Sequence, residues 1–183
     1  MAIYVEADQE DIRRVLAHLD DLNKSPRYLK NAINRTTTQA MKMIRAGRSQ
    51  GYTIKAARFN SDITVQRANY SYLNAIIRAA GRPPTIGSYK QKFLKKQGGK
   101  AEVVHEGYKP VGHAGRRSFK LPNGLMAIRE SEKRTPLEVI HGPSVPSALK
   151  MIYQGERGGQ GNMESKIRQR LHEEMEKEIA KLL

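Results

Sequence analysis

The sequence predicts an α+β protein. Three observations predict it: helical apolar spacing in the first quarter of the chain, β-alternation with a hairpin signal in the middle, and a charged amphipathic helix at the end. The chain has 183 residues, of which 38% are hydrophobic and 6% aromatic, with no Trp. That length suits one domain with extended arms around a modest core. It divides into an arm and short helix (1–23), a core (24–154), and a Gly-rich hinge with a last helix (155–183).

The elements follow in order. IYVEA (Ile3–Ala7) alternates and reads as a short strand or extended arm. Asp8 then caps a helix whose apolar face is Ile12, Val15, Leu16 and Leu19, with Glu10 and Asp11 at its positive end. Ser25-Pro26 starts a longer helix, with Ser as cap and Pro in the first turn. Leu29, Ile33, Ala40 and Ile44 line its core face, with Ala32 and Met43 beside them, and Gly47 or Gly51 ends it. The opposite face carries Arg27, Lys30, Asn34, Met41, Arg45 and Arg48. Two readings of Arg27, Lys30, Arg45 and Arg48 stay open: the solvated back of a core helix, or a basic face for a partner or DNA.

DITVQRA (62–68) reads as a strand. YSYLNAIIRAA fits a helix and a strand equally until Gly81 and Pro83-Pro84 end it. TIGSYKQKFLKKQGGK (85–100) holds five lysines and no acid, and reads as a mobile basic loop (Lys90, Lys92, Lys95, Lys96) that orders on a partner. AEVVHEG (101–107) reads as a strand. RSFKLPNGLMAIRE (117–130) reads as a hairpin on a type I′ Asn123-Gly124 turn. After GERGGQG (155–161), Asn162 caps a final helix. Its apolar stripe is Ile167, Leu171, Met175, Ile179 and Leu182, able to pack on its own domain or on a neighbour. Glu173, Glu174, Glu176 and Glu178 fall on a solvated face with Lys177 and Lys181.

Charge is unevenly placed. The net charge is +15. Residues 1–21 hold six acids and two bases, and residues 22–101 hold 17 bases and one acid, Asp62. Such a field suits a polyanion: nucleic acid or an acidic protein surface. No apolar run approaches the roughly 18–20 residues of a membrane span. The acidic start lacks the features of a signal peptide. The expectation is a chain made and kept in a cytoplasm, or in something assembled there, with no membrane partner.

The motifs point away from catalysis. There is no cysteine, which excludes disulfides, thiol chemistry and Cys-ligated zinc. His18, His105, His113, His141 and His172 are scattered, without metal-ligand spacing. No nucleophile elbow or P-loop is present. His141 and Ser144 are close in sequence but lack an orienting acid nearby. No enzyme, cofactor or metal is expected. HGPSVP (141–146) reads instead as a rigid corner. Pro143 and Pro146 fix their own φ and hold Gly142 and Val145 extended, while Ser144 or Ser147 caps the helix that follows. Tyr70, Tyr72 and Tyr89 read as packing residues.

TPLEVIHGPSVPSAL resembles the C-terminal signature of the minor tail protein Z family of tailed bacteriophages and prophages. LKNAINRTTTQA (29–40), ITVQRANYSYLNAIIRAAGRPPTI (63–86) and RSFKLPNGLMAIRE resemble that family's long helix, strand pair and hairpin, in order. The sequence departs from the family at Ala127, where Phe or Tyr is usual, and at Pro84-Thr85. The resemblance implies a long N-terminal helix packed on an antiparallel sheet with a C-terminal helix, and makes 71–80 a strand. It also implies a structural virion protein that completes the tail at its head-proximal end. Such a protein forms a ring, sixfold to match a tail tube. It meets the tail terminator, tube or sheath and the head–tail connector, with genomic DNA a further contact. It would be assembled in the host cytoplasm and reside in the tail or neck of the virion. On the implied role, Gly142, Pro143, Ser144 and Pro146 set a structural corner. The alternative is a free nucleic-acid-binding protein using residues 22–101, whose affinity would fall steeply with salt.

Overall fold

A 27-residue helix, α1 (Ser25–Gly51), runs through the molecule and organises everything else. At about 1.5 Å per residue it is about 40 Å long. Its Thr36-Thr37-Thr38 run is a poor helix sequence, because β-branching restricts χ1 against the preceding turn. Thr37 and Thr38 satisfy their hydroxyls on the carbonyls of Ile33 (2.8 Å) and Asn34 (2.9 Å), so enclosing them does not leave those groups unpaired. Burial holds the helix: Leu29, Ala32, Ile33, Thr36, Thr37, Ala40 and Ile44 are all enclosed. The computed structural model describes residues 1–7, 9–10, 12–13, 25–95, 97–112 and 116–181. The expected helix face of Val15, Leu16 and Leu19, its Asp8 cap and Asp11, and His18, Lys96, His113 and Leu182 lie outside the described residues.

One face of α1 packs on a three-stranded antiparallel sheet in the order β1-β3-β2 (Ala2–Glu6, Asn74–Ala79, Ile63–Gln66). Ile3 pairs with Ile77 and Val5 with Ala75, so the buried residues of both strands share the inner face. Within 71–80 the strand form holds over Asn74–Ala79, the outcome that alternation and the family resemblance both allow, while 71–73 belong to the loop before it. A short helix, α2 (Ala56–Ser61), buries Phe59 in the core.

The lysine-rich stretch is not a mobile loop. Residues 86–88 form a 3-10 turn, and β4 (Lys90–Leu94) pairs with β5 (Gly98–Glu102), which pairs with β6 (Lys109–Pro110). What the composition hides is that Gly98-Gly99 is buried. A Cβ on Gly99 would meet Met126 Sδ at 2.5 Å, so the glycine lets β5 press on the third sheet. AEVVHEG is strand only as far as Glu102; beyond it Val104 makes a single bridge to Tyr52.

The third sheet is β7-β8-β9 (Phe119–Lys120, Met126–Arg129, Leu137–Val139). The expected hairpin is there, but its turn is not the two-residue type I′. Leu121 N donates to Leu125 O (2.8 Å) and Gly124 N to Leu121 O (2.9 Å). The loop is therefore Pro122-Asn123-Gly124, three residues with Gly124 at φ +83. Pro122 favours this longer loop: flanking a two-residue Asn123-Gly124 turn it would have to donate an N–H to Leu125, and it has none, so the pairing falls to Leu121.

Two helices complete the core. α3 (Val145–Tyr153) buries Val145, Ala148, Leu149 and Ile152. α4 (Met163–Ile179) lays Met163, Ile167, Leu171, Met175 and Ile179 against α1. The stripe thus packs on its own domain, and those residues are not available to a neighbour. GERGGQG is a seated turn: Gly158, at φ +82, lies against the backbone of Gly47, where a Cβ would fall 2.4 Å from the Gly47 carbonyl oxygen. Nor are the C-terminal glutamates all solvated. Glu174 and Glu178 are only 5% and 1% exposed. Arg35 of α1 reaches Glu178 at 2.6 Å, Lys177 reaches Glu174 at 2.9 Å and Arg170 reaches it at 3.0 Å. Charges taken from water need such partners.

Candidate functional site

The Gly142–Pro146 corner joins β9 to α3. Ile140 N donates to Met126 O (3.0 Å) and Gly142 N to Pro84 O (2.8 Å), so the chain is held on both sides as it leaves the sheet. Tyr89 then clasps the bend. Its hydroxyl donates to Pro143 O at 2.7 Å, and its ring lies where a Gly142 side chain would be. Burial pushes the Tyr89 phenol well above its ordinary range, reinforced by Tyr52 and opposed by Arg58, so it remains a donor. Ser144 is the N-cap of α3, accepting from Ser147 N, with Pro146 in the first turn. Its oxygen is also 3.0 Å from Ser147 Oγ. His141 is exposed and bridges to Thr85. Each corner residue thus has a structural task. Tyr89 is the part that sequence reasoning missed as an anchor: it sits among lysines, and nothing in the local pattern ties it to a loop 54 residues away.

The basic helix face does not hold together as one surface. Arg27 is exposed, and Lys30 lies 3.8 Å over the ring of Tyr70. Arg45 is exposed further along. Arg48 is instead used internally: it donates to Ile54 O at 3.1 Å and ties the end of α1 to the chain that follows. Met41, expected on this face, is buried. Asn34 clamps Ala68 through both backbone groups at 3.0 Å.

The basic hairpin is more coherent. Lys92 stands directly opposite Lys100, and Lys90 opposite Glu102, with 3.8 Å between their charged atoms. Lys92 also sits 4.3 Å over the Tyr108 ring. Like charges face to face cost stability unless something offsets them, and the ring does part of that here. Lys95 is exposed near the tip, beside Phe93 and Leu94, which are 39% and 42% exposed. A second feature, with three arginines to one acid, is a groove of about 700 Å³ lined by Arg116, Arg117, Phe119, Arg129, Ser131 and Glu132.

Among the described residues, no three His, Asp or Glu side chains gather where they could hold a metal ion. No described helix is long and apolar enough to cross a membrane. Tyr70 and Tyr72 are not packing residues: they are 62% and 65% exposed. Comparison of the chain with protein-family models, with curated proteins and with solved structures finds no match.

Proposed function

We propose that this chain is a structural protein of a tailed phage or prophage, completing the tail at its head-proximal end as a closed ring between tail and head connector. The observation that carries the reading is the corner at Gly142–Pro146. The stretch that most resembles the minor tail protein Z family is also a fixed joint, clasped by Tyr89 and capped by Ser144. A long helix on an antiparallel sheet, closed by a C-terminal helix, is the architecture the resemblance implies. Charge supports a ring as well. An acidic start and a basic middle suit head-to-tail contact between identical subunits, in which one patch meets a different patch. With the stripe of α4 spent on α1, such contacts fall to the charged surfaces and to exposed residues such as Phe93 and Leu94. The partners on this reading are further copies of the chain, the tail terminator, the tube or sheath, the connector, and the genome end.

The test is localisation. Mass spectrometry of purified particles and labelled imaging should find the chain at fixed stoichiometry at the head-proximal end of the tail. Its absence from intact, tailed particles would overturn the reading in favour of a free nucleic-acid-binding protein using residues 22–101.

A further inference from the structure

Two exposed tyrosines are held in place by an unusually well-tied loop. Residues 67–73 connect β2 to β3. Asn34 of α1 gives its amide nitrogen to Ala68 O and takes Ala68 N on its amide oxygen, both at 3.0 Å, as a neighbouring strand would. Asn69 Oδ1 accepts from Ser71 N (2.9 Å) and Tyr72 N (2.8 Å), and Asn69 N donates to Tyr72 O (2.9 Å). The loop is thus ordered by its own hydrogen bonds. It presents Tyr70 and Tyr72 to solvent, where their rings bury little and contribute little to folding. Rigid aromatic groups displayed this way lose little entropy on binding.

Cations lie about Tyr70 and along the adjoining groove. Lys30 covers Tyr70 at 3.8 Å, and Lys30 and Arg27 together pull the Tyr70 phenol below its ordinary range. Arg67, three residues before Tyr70, lines a groove of about 340 Å³ along α1 with Asn31, Thr38 and Gln39. The acid on this groove is Glu174, already paired with Lys177 and Arg170.

We propose that the Tyr70–Tyr72 loop and the adjoining α1 groove bind an unpaired nucleic-acid strand. Bases stack on the two rings, phosphates pair with Arg27, Lys30 and Arg67, and the amides of the groove follow the backbone. Stacking platforms beside a cationic groove are what single strands need, because an unpaired base offers its π-face and a duplex hides it. An acidic protein surface would engage the cations but would leave the two rings unexplained. This inference does not depend on the tail-completion reading, and it is tested on the purified chain whether or not the chain is found in particles.

The experiment is fluorescence anisotropy with the full chain and a labelled oligothymidylate of about 15 nucleotides, within the site sizes of single-strand binders. A duplex and an abasic strand of the same length are the comparisons. The thymidine strand should bind tighter than both. Tyr70→Ala with Tyr72→Ala should weaken it about tenfold or more, as expected for lost stacking. Tyr4→Ala, at an exposed tyrosine on β1, should leave it unchanged. Arg27→Gln with Lys30→Gln should flatten the dependence of log affinity on log salt by about 1.4, since each phosphate contact to a single strand contributes about 0.7. Circular dichroism should show every variant folded. Absence of binding, equal binding of the abasic strand, or full affinity in the folded double-tyrosine variant would each overturn the proposal.

Discussion

Gly142 has no room for a side chain, because a Cβ there would lie 2.3 Å from Tyr89 Cε2. Gly142→Ala should therefore cost about 1–3 kcal/mol, the usual penalty for overpacking. Tyr89→Phe removes the donor to Pro143 O and should cost about 1 kcal/mol. Urea unfolding of both variants checks this, and an unchanged midpoint in either would show that the clasp is not needed for stability. Glu174 makes a different residue-scale argument. Burial alone raises its carboxyl pKa, but Lys177, Arg170 and Arg35 outweigh burial and hold it below the usual carboxylate range. Its folded pKa is thus lower than its unfolded one. The stability it contributes is present above the unfolded value, roughly pH 4.3, and is lost as pH falls through the folded value. Thermal unfolding followed between pH 7 and pH 3, a range that brackets carboxylate titration, should show a steeper acid loss in the parent than in Glu174→Gln.

At the scale of elements, α4 is a core helix with a charged exterior. Leu171 is buried against α1, so Leu171→Ala should cost about 2–5 kcal/mol, as large-to-small core changes do. A loss under about 0.5 kcal/mol, the size of an ordinary surface effect, would mean the helix is not docked there in solution. The corner also acts as an element, turning the chain from β9 into α3. Pro143→Ala with Pro146→Ala should leave the protein soluble, because the Tyr89 bond goes to a backbone carbonyl and the Ser144 cap remains. On the proposed function it should nonetheless lower the yield of productive tails, as counted by complementation of a phage lacking the chain. Normal yield would remove the corner from the assembly argument.

For the whole molecule the dominant fact is polarity of charge. The first 21 residues carry six acids against two bases, while the next 80 carry 17 bases against one acid. If subunits meet acidic start to basic middle, association should weaken as salt rises and the Debye length shrinks from about 10 Å at 0.1 M to about 3 Å at 1 M. Sedimentation velocity at those two salt concentrations is the check. A monomer at both, at high protein concentration, would count against a self-assembling ring.

The sequence by itself left β1 open between strand and arm, residues 71–80 open between helix and strand, and the cap of α3 open between Ser144 and Ser147. What it determined was the α+β class, the two long helices near their observed bounds, β2 and the core faces of α1 and α4. These rest on local periodicity and on residues such as Pro26 and Asn162, whose effect is felt within one turn. Short-range rules also carried the hairpin at 119–129, though not its turn, because Pro122 lacks the N–H that a two-residue Asn123-Gly124 turn needs from its flanking residue. Other features only the tertiary structure decided. The lysine-rich run became a hairpin because two glycines let β5 press on Met126. Glu174 and Glu178 went inside because Arg35, some 140 residues earlier, was there to meet them. Arg48 left the basic face for the Ile54 carbonyl, and Tyr89 left the lysines for the corner. Tyr70 and Tyr72 stayed outside on a loop that Asn34 ties to α1 through the buried Ala68. Apart from Arg48, whose partner is six residues on, each of these outcomes depends on a partner far along the chain, and composition and period carry no information about such partners.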